Sequence, residues 1–210
     1  MQYDFMKNYS DNSIAFFDFD GTLTSKDTLI ELLKFARGKT RFYAGLVVLS
    51  PMLAAFKARL ISNQRAKEIM LSFYLKGMPA EEFESICKDF AATHLPSLFR
   101  KPALTELRRH LQNDTQVVIV SASPENWILP WCQQFNIKCI ATKLKVRDGK
   151  ITGKISGRNC QGNEKVKHIL KKYNLSHYTK IYAYGDTPDD LPMLSLATES
   201  FYKPFKEQLI

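Results

Sequence analysis

The 210-residue chain has no apolar run long enough to cross a bilayer as a helix, no internal repeat, and no Gly/Ser-rich or low-complexity linker. Residues 1–13 are too polar to form the apolar region of a secretory signal. Cysteine is scarce, and Cys87, Cys132, Cys139 and Cys160 have neither the paired spacing of a zinc site nor the density of a disulfide scaffold. They read as reduced thiols of a cytoplasmic protein, with Cys160 a buried thiol although it lies near Lys165. His94, His110, His168 and His177 are scattered without a partner motif and read as surface or satisfied core histidines. One further absence is local: residues 34–67 hold no Asp or Glu, yet contain Lys34, Arg37, Lys39, Arg41, Lys57, Arg59, Arg65 and Lys67. The whole chain has 30 basic and 21 acidic side chains, a net charge of +9, so this segment carries nearly all the excess.

What is present points to a globular α/β protein, since 210 residues with 45% hydrophobic content suffice for one core and a modest insertion. The most informative stretch is Asp18-Phe19-Asp20-Gly21-Thr22-Leu23-Thr24, which follows the apolar run Ile14-Ala15-Phe16-Phe17. Residues two apart on an extended strand point to the same side, so the two carboxylates can meet one ligand at the strand's carboxyl edge. One suits a nucleophile and the other an acid/base. An Asp-Gly turn at the surface is the plain alternative, and later segments weigh against it. Val117-Val118-Ile119-Val120-Ser121 ends a second β-branched run in a hydroxyl that could donate to a phosphate oxygen. Lys165, in Gly162-Asn163-Glu164-Lys165, opens an amphipathic helix and offers a cation. Tyr184-Gly185-Asp186-Thr187-Pro188-Asp189-Asp190 ends a third strand-like run in acids.

Carboxylates crowded in this way call for a cation. Hard oxygen ligands favour Mg²⁺, with Asp18 and Asp186 as side-chain ligands and the backbone carbonyl of Asp20 as a third oxygen. Asp190 is expected to order waters or Lys165 from behind, with Asp189 beside it.

These four segments, in this order, resemble the four motifs of the haloacid dehalogenase superfamily of phosphohydrolases, and they span positions 18 to 190. The resemblance implies a phosphatase rather than a dehalogenase, because the second carboxylate, Asp20, is present. It implies an in-line attack by Asp18, an aspartyl-phosphate intermediate and proton transfer by Asp20. Ser121, Lys165 and the loop N–H groups would bind the phosphoryl oxygens, with Thr22 helping to hold that loop. The implied fold is a Rossmann-like parallel sheet in a three-layer α/β/α core, with an all-helical cap inserted after the first strand.

The chain pattern agrees with that architecture. Strands are expected at 14–19, 117–121, 138–141 and 180–184, helices at 125–135 and 164–173, and a hairpin turning at Asp148-Gly149 within 143–155. Helical pieces near 28–35, 42–60, 65–75 and 80–93 make residues 25–101 the cap, leaving 1–24 and 102–210 as the core.

Within the basic segment, residues 42–56 are uncharged and mostly apolar. Fifteen helical residues reach only about 22 Å, short of a bilayer's roughly 30 Å core, and Pro51 should kink or break the helix. Shallow insertion into anionic lipid at the inner face of a membrane stands beside a buried cap hairpin as an equal reading. Nucleic acid is not an expected partner, since no binding module accompanies the charge.

Val120-Ser121-Ala122-Ser123-Pro124-Glu125 and Asn159-Cys160-Gln161-Gly162-Asn163-Glu164-Lys165-Val166 resemble the subgroup containing phosphatidylglycerophosphatase C, which implies a lipid-linked phosphate as substrate. Phosphoserine phosphatase is the alternative, with a small soluble substrate. It fits less well at Thr22 and at Ser121-Ala122-Ser123, and Asp27 stands where its substrate-reading Glu is expected. A phospholipid-binding protein without catalysis is the reading from another class, and the complete acid set opposes it. Ser123, Glu125 and Arg158 are candidates for lining the pocket.

Overall fold

The computed structural model describes residues 12–206, so the polar N-terminal segment up to residue 11 lies outside the described residues. The apolar runs become strands β1 (Ser13–Phe17), β2 (Gln116–Pro124), β3 (Lys138–Thr142), β4 (Leu144–Arg147), β5 (Lys150–Ile155), β6 (Lys180–Gly185) and β7 (Glu199–Tyr202). Five form one sheet in the order β3-β2-β1-β6-β7 with every neighbouring pair parallel, while β4 and β5 form a separate antiparallel hairpin. The helices are α1 (Thr28–Arg37), α2 (Lys39–Val48), α3 (Ser50–Lys57), α4 (Asn63–Leu75), α5 (Ala80–Asp89), α6 (Lys101–Gln112), α7 (Glu125–Gln134), α8 (Asn163–Lys172) and α9 (Leu191–Leu194).

β1 lies at the centre of the sheet, and all five of its residues are buried, as both faces of a parallel sheet require. Ile14 and Phe16 join Val118, Val120, Ile181 and Ala183 on one face, which α8 and α9 cover through Ile169, Met193 and Leu194. Ala15 and Phe17 join Val117, Ile119 and Tyr184 on the other, against Leu107 of α6 and Trp127 and Ile128 of α7. The result is the expected three-layer α/β/α core.

Between β1 and β2 the described elements are all helical: α1 to α5, a π turn at Phe90–His94, a 3-10 turn at Leu95–Leu98, and α6. Asp27 caps α1 by accepting from Ile30 N at 3.2 Å, and Ser62 caps α4 by accepting from Arg65 N at 3.2 Å. The helical stretch expected over 42–60, with a kink or break at Pro51, is two helices parted at Leu49. Pro51 sits in the first turn of α3, where a missing N–H leaves no helical bond unmade.

The inserted helices are not a detached lid. Leu71, Leu75, Phe83, Cys87 and Phe90 belong to the same buried cluster as Phe19, Leu23, Trp127 and Ile128. The hairpin is also tied to them, although by chain position it falls within 102–210. Gly77 N donates to Ile151 O (2.9 Å), Ile151 N to Met78 O (2.9 Å) and Ala80 N to Gly149 O (2.8 Å). Its turn has Asp148 at φ +50 and Gly149 at φ +69, the pairing a two-residue hairpin turn favours. Three elements escaped the sequence reading. β7 and α9 are four residues each, too short for a periodic pattern, and the buried stripe of α6 ends in a histidine, His110.

Candidate active site

The parallel order brings the carboxyl ends of β2, β1 and β6 together: Asp18 and Asp186 directly follow β1 and β6, and Ser121 is the last residue of β2 before its pairing with β3 shifts register. Asp18 N donates to Tyr184 O at 2.9 Å, so sheet pairing extends to the acid itself. The chain then turns sharply, with Leu23 N and Thr24 N both donating to Phe19 O at 2.9 and 3.0 Å. Gly21 has φ +87, and a Cβ there would stand 2.6 Å from an Asp186 carboxylate oxygen, so both conformation and space require glycine.

Asp18, Asp186 and Asp190 are buried, each with a carboxylate oxygen within 4.8 Å of the other two. Lys165, in the first turn of α8, reaches Asp18 Oδ1 at 2.5 Å and Asp190 Oδ1 at 2.6 Å. Burial pushes the Asp18 carboxyl up to about 7, with Lys165 pulling it down and Asp190 and Asp20 adding to the rise. Burial opposes the Lys165 charge, yet the two carboxylates more than offset it and hold the ammonium above its ordinary range. Asp190 is held low although burial opposes this, because Lys165 and the Thr187 donors stabilise its charge. Its Oδ2 accepts from Asp186 N (3.1 Å), Thr187 N (2.9 Å) and Thr187 Oγ1 (2.8 Å). Both Asp190 oxygens are therefore engaged by protein donors.

One buried ammonium facing three buried carboxylates leaves an excess of negative charge. Lys206 reaches in from the surface to Asp186 Oδ2 at 2.8 Å, placing a cation on this acid, while Thr22 Oγ1 donates to Asp186 Oδ1 at 3.2 Å. The donors are hard oxygens, and the local charge calls for a divalent cation, so this set fits Mg²⁺.

Asp20 is held by Thr28, which is itself held by Trp127. Its Oδ1 accepts from Thr28 N at 2.7 Å and Thr28 Oγ1 at 2.6 Å, and Trp127 Nε1 donates to Thr28 Oγ1 at 2.9 Å. Ser121 is fully buried and its Oγ accepts from Ser123 N at 3.0 Å, which leaves the hydroxyl proton for another acceptor. Asp189 is exposed and accepts from Gln161 Nε2 at 2.5 Å.

These groups form the floor of a cavity of about 320 Å³ that Asp18, Asp20, Lys165, Asp189, Asp190 and Ser123 line. Thr22, Ser121 and Asp186 are buried and are not part of that lining. Glu125 and Arg158 do not line it; they face Lys143 at 3.8 Å and Glu164 at 3.2 Å. The opposite wall comes from α1, α3 and α4: Leu29, Ile30, Met52, Leu53, Phe56 and Met70.

Sequence reasoning did not single out Lys67 or Gln161, and both line the cavity. Lys67 crosses from α4 to the core, donating to Ala122 O at 2.8 Å and Asn159 Oδ1 at 3.2 Å. Burial lowers its pKa, with Asp20 and Asp27 opposing the shift. In the sequence it was one of eight bases in an acid-free segment, and nothing local marked it. Asp27 also lines the cavity, and burial followed by the Asp20 charge raises its carboxyl above the usual range.

Over residues 15–195 the sequence matches the family of haloacid dehalogenase-like hydrolases. The chain belongs to that family. Protein CicA of Caulobacter vibrioides (strain NA1000 / CB15N) is 33% identical over 192 residues, which cover 90% of this chain and 85% of CicA. A protein of unknown function from Bordetella pertussis Tohama I shares the fold with a TM-score of 0.79 at 23% identity, covering 90% of this chain and 88% of that one. So does a phosphoserine phosphatase solved as a phospho-aspartyl intermediate analogue, with a TM-score of 0.64 at 20% identity, covering 90% and 85%. This haloacid dehalogenase-like chain is by family a hydrolase. Among the described residues no helix is long and apolar enough to cross a membrane.

Proposed function

We propose that the protein is a Mg²⁺-dependent phosphomonoester hydrolase working through an aspartyl-phosphate on Asp18, with a lipid-linked phosphate such as phosphatidylglycerophosphate as substrate. The observation that carries the reading is the placement of Asp18: a buried carboxylate at a strand end, 2.5 Å from the Lys165 ammonium, on the floor of a cavity it shares with Asp20. A carboxylate oxygen of Asp18 attacks phosphorus, the phosphorus–ester oxygen bond breaks, and protonated Asp20 delivers its proton to the departing alkoxide. Water then attacks the phosphorus of the acyl phosphate, Asp20 takes its proton, and inorganic phosphate leaves with Asp18 regenerated. Lys165 and the Ser121 hydroxyl meet the phosphoryl oxygens, and Thr22 steadies Asp186.

Asp18, Asp186 and the Asp20 carbonyl would hold Mg²⁺, with Asp190 fixing Lys165 behind them. When bound, the ion neutralises charge building on the phosphoryl group.

Support for a lipid-linked substrate comes from the six apolar side chains of the cavity wall, which suit an acyl chain better than an amino acid. Two of the polar groups nearby are already engaged, Lys67 by Ala122 and Asn159, and Asp27 by Ile30. The test is phosphate release from phosphatidylglycerophosphate in mixed micelles, beside phosphoserine at matched concentration, with and without Mg²⁺ and with Asp18→Asn as the blank. Preference for the lipid is expected. Preference for phosphoserine would overturn the substrate class, and activity surviving in Asp18→Asn would overturn the mechanism.

A further inference from the structure

The α2–α3 pair has two faces. Phe42, Gly45 and Leu49 are buried against the rest of the helical insertion, where Tyr74 Oη donates to Phe42 O at 2.6 Å. Turned outward are Tyr43 (55% exposed), Val47 (74%) and Val48 (65%), with Leu60 (78%) beyond the end of α3. A ten-residue helix in a folded protein rarely presents adjacent valines to water, and here Lys39, Tyr43 and Val47 fall on one i, i+4 stripe. Lys39 and Arg41 on one side and Lys57 and Arg59 on the other are exposed, and none of the four has an acidic partner within salt-bridge distance among the described residues. Arg59 adopts φ +60 at the end of α3, a conformation that favours glycine, yet a cation stands there. The apolar surface also continues inward, since Phe56 is both 40% exposed and part of the cavity wall beside Met52 and Leu53.

We propose that this outward face docks on the surface of an anionic lipid bilayer, with the valines and Tyr43 entering the headgroup boundary and the flanking Lys and Arg meeting lipid phosphates. Charge complementarity selects this occupant: the four exposed, acid-free cations Lys39, Arg41, Lys57 and Arg59 suit an anionic surface, and the apolar side chains between them suit its interior edge. A second copy of the same face would set these cations against each other. The docking stands without the catalytic reading. Its consequence rests on that reading, because docking would bring Phe56 and the cavity mouth to the depth of a phosphorylated headgroup.

The experiment is flotation of the full chain with vesicles of phosphatidylglycerol mixed with phosphatidylcholine, against phosphatidylcholine alone. Two double variants accompany it, Val47→Asp with Val48→Asp and Lys39→Glu with Arg41→Glu. The wild type should float with anionic vesicles only and be released by high salt, and each double variant should bind roughly tenfold more weakly or less still. Both variants should keep their melting temperature and their hydrolysis of soluble p-nitrophenyl phosphate, since these four residues are exposed and outside the cavity. A wild type that stays with the unbound fraction, or variants that float as it does, would overturn the docking. So would a dimer that the valine variant turns into a monomer, which would assign the face to self-association. Hydrolysis lost in the wild type with flotation intact would instead overturn the catalytic reading alone.

Discussion

The floor and the roof of the cavity are made of opposite materials. On the floor, Asp18, Lys165 and Asp190 are buried, with Lys165 bonded to both acids at 2.5 and 2.6 Å. On the roof, Leu29, Met52, Leu53 and Phe56 offer shape without directed bonds. Directed bonds fix where a reacting atom can be, and apolar walls fix only what volume can enter. The chemistry is therefore confined to a few short motifs, while selectivity is spread over helices that carry no motif.

That contrast can be broken most severely at Lys165. Lys165→Met leaves Asp18 and Asp190 buried without their cation, and the loss should be about 3–5 kcal/mol of stability together with catalysis. Urea unfolding followed by fluorescence would measure it, and added Mg²⁺ should recover part of the stability but not the activity. An unchanged midpoint would mean the floor is not the tightly paired cluster described.

The second test asks whether floor and roof are separate bodies. Leu71 of α4 is fully buried in the cluster that also holds Phe19 and Trp127. Leu71→Ala should cost about 2–4 kcal/mol and shift one cooperative calorimetric transition as a whole. A resolved low-temperature transition for the inserted helices would separate the two regions after all.

A smaller effect belongs to the core alone. Burial, with Arg109 nearby, lowers His110 to about 4, so the folded protein keeps this ring neutral where the unfolded chain, near 6.5, does not. Between those values the unfolded chain binds more protons, so stability should fall as pH drops from about 6.5 towards 4, by about 2 kcal/mol, and should be insensitive to this residue above 6.5. His110→Gln should flatten that window in melting curves taken across it. Glu106, held down at about 2 by Arg109, loses its contribution only below its ordinary value of 4.5, which separates the two groups.

The least severe change is at the joint between hairpin and insertion. Gly153 has φ +74, and an added Cβ would run into the Ser72 backbone, so Gly153→Ala should cost about 1–2 kcal/mol by pushing β5 off α4. Hydrogen exchange should then rise at the Gly77–Ile151 pairing before it rises in β1.

The same contrast explains what the sequence disclosed. The parallel core was legible because β1, β2 and β6 are largely buried apolar runs, two of them followed directly by an acid, and an acid at the end of a buried strand is costly unless a cation or a ligand meets it there. Lys67 and Gln161 were not legible, because their place in the cavity depends on how α4 and the 158–162 loop meet, and no local period encodes that meeting. The split at Leu49 was misplaced for a related reason: Pro51 announces a break, but a proline is accommodated in a first helical turn, so the break falls before it. The apolar run at 42–56 could not say which side would be covered, and the structure divides it, with Phe42 inside and Val47 outside.

Acid-quenched turnover of a radiolabelled phosphomonoester in the presence of Mg²⁺ would show whether Asp18 carries the phosphoryl group. Label should be bound covalently to the peptide containing Asp18, released by mild base as from an acyl phosphate, and absent in Asp18→Asn. Steady turnover with no label on that peptide, or label retained in Asp18→Asn, would contradict it.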